Sequence, residues 1–140
     1  YRWERGSSKV HFSGSYGING RAHGGSMDDP DTRGSLNNVP VLLDCVYMDA
    51  RPWPFDDPAE YEDQIEWSGD IKYFCINRHD AVINGLFLDF SVRKIGLKEL
   101  WTLKWQHHYP AKMIAHSPWT TTGGVQPEDW PKWMRNFKDY

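Results

Sequence analysis

The alternation of apolar and polar residues along the chain predicts a small β-sheet. The pattern indicates five short strands, over residues 14–19, 39–48, 71–76, 83–89 and 91–95. The second of them has Pro40 at its start, a position that a strand tolerates. The last two are separated by a very short turn, so they are expected to form a hairpin with Asp89 and Phe90 at its tip.

Helical spacing replaces this alternation in the last third of the chain. Residues 97–105 place Leu97, Leu100 and Trp101 on one face, which predicts a helix. A second helix is predicted within residues 123–140, because Pro127 is followed by two acidic residues. Its buried stripe would consist of Trp130, Trp133, Met134 and Phe137. The predicted fold class is α+β, a small antiparallel sheet with long loops and C-terminal helices.

Composition supports a single loop-rich domain over residues 1–140. Aromatic residues make up 15% of the chain, with eight Trp, and 12 Gly and nine Pro break up the regular structure. Large rings are therefore expected to form most of the core. Residues 1–14 are expected to be extended or a linker, and residues 50–70 an acidic, Pro-rich loop. The chain has no apolar run of about 18 residues that could cross a membrane. Because it begins at Tyr1 without Met, we expect a processed product or a fragment of a longer protein.

Charge is distributed unevenly between the two halves of the chain. Residues 1–70 contain 13 acidic and six basic residues, whereas residues 71–140 contain six acidic and ten basic residues. Seven acidic residues and no basic one lie between Asp56 and Asp70. This run is either a solvated loop or a surface complementary to the basic half of another copy. The balance does not favour nucleic acid as a partner.

Acidic residues also raise the question of a metal site. The candidate calcium ligands are Asp44, Asp49, Asp56 and Asp57, although the spacing of a calcium-binding helix–loop–helix motif is missing. The six His residues do not have zinc-ligand spacing. No nucleophile lies in a recognisable elbow, so His79 with an acidic partner does not indicate an enzyme.

The two cysteines, Cys45 and Cys75, each lie within an apolar stretch. If those stretches are neighbouring strands of a secreted protein, a disulfide between them is geometrically possible. In the cytosol, two buried free thiols would be expected instead. Sequence alone leaves both alternatives open.

Two tryptophans lie in loops and are candidates for binding sugars. Trp53 and Trp119 could present flat apolar rings to a glycan, although most of the eight Trp are needed for the core. The chain has no N-glycosylation sequon. Any attached glycan would be O-linked, and the candidate acceptors are Ser117, Thr120, Thr121 and Thr122.

Residues 78–105 (RHDAVINGLFLDFSVRKIGLKELWTLKW) resemble the C-terminal hairpin of large bacterial pseudopilin-like proteins. These proteins have a prepilin-type N-terminal cleavage and methylation site and are type II secretion G-like. Their motif is His, nine residues, then Asp-Gly. His79 and Asp89 keep this spacing, and Phe90 replaces the glycine. Further similar segments bring the resemblance to about residues 15–140.

The resemblance implies a non-enzymatic protein that is exported and anchored by an N-terminal helix, which this sequence does not include. Such proteins polymerise into pseudopili or pili, and some bind calcium. His79 and Asp89 would then hold the hairpin together by a hydrogen bond or ion pair. We therefore expect a structural subunit outside the cell or at the bacterial surface (in the periplasm for a secretion pseudopilus) that assembles head-to-tail with its own copies. The alternative is an extracellular carbohydrate-binding module that uses exposed Trp rings.

Overall fold

The computed structural model describes residues 2–4, 11–13, 15–22, 36–64, 69–106 and 116–140. Seven strands lie in these segments: β1 (Arg2–Glu4), β2 (His11–Ser13), β3 (Tyr16–Asn19), β4 (Pro40–Asp44), β5 (Asp49–Ala50), β6 (Val82–Phe87) and β7 (Val92–Gly96). Strands β1 and β2 pair antiparallel in a sheet of their own, and neither strand was predicted from the sequence. Three 3₁₀ helices occur among the described residues, Leu36–Asn38, Asp70–Phe74 and Lys98–Thr102. These helices are too short to cross a lipid bilayer.

The other five strands form one sheet in the order β5-β3-β4-β6-β7. Adjacent strands are antiparallel except β3 and β5, which run parallel. The predicted antiparallel sheet is therefore a mixed one. The exception arises because the chain turns back after β4 and passes to the outer side of β3, where Asp49 and Ala50 pair with it.

The hairpin of β6 and β7 is confirmed, with the tip where the sequence predicts it. Buried and half-buried residues alternate along β6, as expected for a strand with one face on the core. At the tip, Phe90 adopts the left-handed conformation with φ of 66°. The Asp89 carboxylate accepts hydrogen bonds from the Ser91 backbone N–H at 3.0 Å and from its hydroxyl at 2.6 Å, which closes the turn.

The strand predicted over residues 71–76 is wrong. This segment begins with the 3₁₀ helix Asp70–Phe74, and all six of its residues are buried. A run that is buried on every side lacks the alternation that distinguishes a strand from other buried segments. Tertiary hydrogen bonds hold this segment in place, among them the bond from the Ile71 N–H to the Asp56 carboxylate at 3.3 Å.

Both predicted C-terminal helices are also wrong, and the described residues contain no α-helix. Over residues 97–105 only Lys98–Thr102 is helical, as 3₁₀, and Leu103 is extended with ψ of 147°. Residues 123–140 consist of turns and irregular structure. Pro131 lies within the predicted second helix, where it lacks a backbone N–H and clashes with the preceding turn. The sheet of the predicted α+β fold is therefore present, but the described residues do not form the predicted C-terminal α-helices.

Tryptophan rings nevertheless cover one face of the sheet. Trp101, Trp105 and Trp130 are almost fully buried, and Trp101 meets Trp130 edge to face with centroids 5.1 Å apart. Of the stripe predicted for the second helix, Trp130 and Met134 are buried, while Trp133 and Phe137 are partly buried against the core. On the opposite face of the sheet, called the open face below, Ile18 and Val92 are exposed.

Candidate functional site

The open face of the sheet carries a continuous row of apolar side chains. Strand register pairs Ile18 of β3 with Leu42 of β4, Leu42 with Leu86 of β6, and Leu86 with Val92 of β7. Paired residues lie side by side on the same face, so these four form an apolar row across four strands. Ile18 is 53% exposed and Val92 71% exposed, and the two between them are half-buried. Contiguous exposed apolar surface of this kind is typical of interaction sites.

The hairpin extends this apolar surface at one side. Phe90, at the tip between β6 and β7, is 87% exposed. Strand β7 is the outer strand of the sheet, and its pairing with β6 directs the backbone N–H groups of Val92 and Lys94 away from the sheet. The open face therefore ends in an exposed ring and a strand edge whose backbone N–H groups point away from the sheet.

A polar cluster around Asp44 lies next to the apolar row. The Asp44 side chain is only 2% exposed, and its oxygens lie 3.5 Å from Arg78 Nη1 and 3.5 Å from His79 Nε2. Asp44 also accepts a hydrogen bond from the Asn84 backbone N–H at 2.7 Å. The cluster joins the segment before β6 to β4, so its role in the fold is structural.

This geometry corrects the predicted pairing of His79 with Asp89. His79 lies before β6 and Asp89 after it, so the six residues of that strand separate them. His79 faces Asp44, whereas the hydrogen bonds to Ser91 lower the pKa of Asp89. The two residues therefore neither hold the hairpin together by a mutual contact nor form a catalytic pair. Each of them stabilises a different end of β6.

Both cysteines are buried free thiols, so the structure contains no disulfide between Cys45 and Cys75. Burial raises the pKa of each thiol to about 12. Because the thiolate is the reactive species, neither cysteine is a nucleophile at neutral pH.

The predicted calcium ligands do not come together as a site. Among the described residues there is no group of three or more His, Cys, Asp or Glu side chains that could hold a metal ion. The Asp44 carboxylate already forms an ion pair with Arg78 and accepts a hydrogen bond from the Asn84 N–H. Asp56 accepts backbone hydrogen bonds from Trp53 at 2.9 Å and Ile71 at 3.3 Å, and burial raises its pKa. Neither Asp49 nor Asp57 completes a cluster with them.

The two candidate sugar-binding tryptophans have different environments. Trp53 is 38% exposed, and the Arg21 guanidinium lies over its ring, 4.8 Å from the centroid. Trp119 is partly buried, with its ring centroid 5.3 Å from that of Trp130 and 6.3 Å from that of Trp101. Trp119 therefore belongs to the edge of the core.

Two of the predicted O-glycosylation sites are wrong. Ser117 and Thr120 are buried, and their hydroxyls donate hydrogen bonds to the carbonyl oxygens of Pro54 and Ser117, respectively. A transferase could not reach them in the folded chain. Thr121 and Thr122 are exposed and remain candidates.

Comparisons with known proteins returned no match to a family model, a curated protein or a solved structure. The resemblance to pseudopilins therefore depends on the sequence motifs alone. The sequence did not predict the apolar row, because the row depends on the register between strands that are far apart in the chain. Only the alternation within each strand could be recognised from the sequence.

Proposed function

We propose that this chain is a non-enzymatic structural subunit that assembles with copies of itself through the open face of its sheet. The apolar row Ile18–Leu42–Leu86–Val92 carries this proposal. Burying it against another molecule removes apolar area from water, which stabilises association by about 25 cal/mol per Å². Phe90 adds a large ring beside the row, and aromatic residues are enriched at protein interfaces.

Charge favours the acidic loop of a second copy as the surface that the open face contacts. Arg78 and Lys94 are basic residues of the open side, whereas Asp57, Glu60 and Glu62 are exposed on the loop. This loop is attached to the covered side of the sheet. The indole N–H groups of Trp101 and Trp133 donate to the Asp56 and Ala59 carbonyl oxygens at 2.8 and 2.9 Å.

The two complementary surfaces therefore lie on different sides of one subunit. A contact between different surfaces is heterologous, so it leaves a free surface at each end and can propagate as a filament. Such a polymer, of pilus or pseudopilus type and located outside the cell or at its surface, is the assembly that the sequence resemblance implies. The same contact formed by two identical open faces would stop at a dimer.

Sedimentation velocity over a range of protein and salt concentrations tests this proposal. We expect sedimentation coefficients that rise with protein concentration beyond that of a dimer. We also expect association to weaken between about 0.05 and 1 M salt, because screening shortens the reach of exposed charges from about 14 Å to 3 Å. A monomer at every concentration would contradict self-assembly, and association indifferent to salt would contradict the charged contact.

A further inference from the structure

A surface depression of about 490 Å³ lies on the covered side, away from the apolar row. The acidic loop forms one wall with Asp57 and Glu60, and the C-terminal turns form the other with Asp129 and Arg135. Trp119 and Lys72 also line it. Its volume is within the range of small-molecule sites.

Two buried indole N–H groups point to a ligand. Trp119 and Trp130 line the depression, and within the described part of the chain their buried Nε1 atoms have no hydrogen-bond partner. A buried donor without an acceptor costs free energy. An oxygen atom of a ligand in the depression would supply such an acceptor, and the ammonium of Lys72 in the same lining offers a further donor.

The aromatic wall of the depression consists of Trp119 and Trp130, whose ring centroids are 5.3 Å apart. Trp130 is almost fully buried, so Trp119 provides most of the accessible ring surface. An indole held by such packing is a rigid apolar surface on which a flat ligand face can lie at little cost in side-chain entropy.

The formal charges of the residues that line the depression sum to zero. The lining contains three carboxylates and three cationic side chains, and among the described residues none of these six pairs with another. Arg135 is already oriented, because its Nε donates to the Trp130 carbonyl oxygen at 2.9 Å and its Nη2 to that of Glu128 at 3.0 Å. A cationic or anionic polymer would meet charges of its own sign in this lining.

We propose that the depression binds a neutral saccharide. Each sugar hydroxyl has one O–H donor and can also accept hydrogen bonds, so different hydroxyls of one saccharide can accept from the ammonium of Lys72 and donate to the carboxylates of Asp57 and Glu60. The apolar C–H face of the ring then packs on Trp119. The depression lies away from the apolar row, but it shares Asp57 and Glu60 with the acidic loop proposed as the second assembly surface. It limits the sugar-binding hypothesis to Trp119 without Trp53.

Isothermal titration calorimetry tests this site with neutral hexasaccharides of glucose, mannose and N-acetylglucosamine, and with a hexasaccharide of uronic acid as the anionic comparison. We expect binding of at least one neutral probe. Lys72→Met and Asp57→Asn should each weaken it at least about tenfold, the effect of one lost hydrogen bond to a charged group. The exposed Glu60→Gln serves as a second variant should Lys72→Met fail to fold, and Trp53→Ala is the control expected to bind like the wild type.

Several results would overturn this assignment. They are the absence of binding to every neutral probe, binding of the uronic acid probe alone, and unchanged affinity in folded Lys72→Met, Asp57→Asn and Glu60→Gln variants. A Trp53→Ala variant that loses binding would also contradict it, because Trp53 does not line the depression. Thermal unfolding of each variant shows that the fold is intact before its affinity is compared.

Discussion

The ammonium of Lys98 lies 2.7 Å from a carboxylate oxygen of Asp139, although the Lys98 side chain is fully buried. The same ammonium donates to the Arg135 carbonyl oxygen at 3.3 Å and lies 5.0 Å from the centroid of the Trp130 ring. Lys98 therefore joins the C-terminal turns to the helix that follows β7. This contact explains how a C-terminal segment without an α-helix is held over the core.

We predict that Asp139→Ala destabilises the fold more than Lys98→Met. Removing the carboxylate leaves a buried ammonium without its charged partner, which we expect to cost about 1–3 kcal/mol because water can reach the half-exposed Asp139 position. Lys98→Met removes the charge and keeps most of the apolar stem. Urea denaturation measures the free energy of unfolding, with the exposed Lys132→Ala as a control. A greater loss in Lys98→Met would show that the ion pair is net stabilising.

Phe90→Gly is predicted to stabilise the subunit and to weaken its assembly. A non-glycine residue with φ of 66° is strained, and glycine relieves that strain, which we expect to raise the free energy of unfolding by about 0.5–1 kcal/mol. The lost ring should reduce self-association. Denaturation and sedimentation of the same variant separate the two effects. Lower stability would show that the Phe90 ring contributes to the fold of the isolated subunit.

The cysteines are predicted to be unreactive in the folded chain. Ellman's reagent at pH 8 should detect no thiol in the native protein and two after unfolding. Each folded-state thiol has a pKa of about 12, above the value of about 8.5 in an unfolded chain, so the folded state retains these protons over the intervening range. Their contribution to stability is complete below pH 8.5 and is lost as the pH rises towards 12. Absence of thiols after unfolding without a reductant would demonstrate a disulfide.

Asp44 is predicted to matter far more for stability than its partner His79. Asp44→Ala removes the carboxylate partner of Arg78 and the acceptor of the part-buried Asn84 N–H, which should cost about 2–4 kcal/mol. His79→Ala should cost less than about 1 kcal/mol, because its side chain is 45% exposed. Guanidinium denaturation of both variants measures the difference. Equal effects would mean that the histidine is the main partner of the carboxylate.

The hairpin could be predicted from the sequence because its two strands and its turn are adjacent in the chain. Residues 82–96 contain the alternation, the tip and both paired strands β6 and β7. Residues 71–76 differ, since some of their backbone groups bond to distant residues. The Tyr73 carbonyl oxygen, for example, accepts a hydrogen bond from the Val46 N–H at 2.9 Å. The prediction of the second helix was wrong for a local reason, since Pro131 lies within the predicted segment.

The candidate site was less accessible to sequence reasoning than the fold. The apolar row requires Ile18 to lie beside Leu42, and this register is a tertiary property. The depression requires the acidic loop to face the C-terminal turns, which occurs through the contact of Trp133 with Ala59. Charge asymmetry was visible from the sequence, but the side of the sheet that each charge occupies was not.

Sedimentation velocity of an Ile18→Asp/Val92→Asp double variant tests the role of the open face most directly. Leu36→Asp is the matched control, because Leu36 is 41% exposed and lies outside the apolar row. We predict that the wild type and Leu36→Asp form concentration-dependent species larger than a dimer. The double variant should remain monomeric at the same concentrations, with thermal unfolding close to that of the wild type. Undiminished association of a folded double variant would contradict assembly through the open face of the sheet.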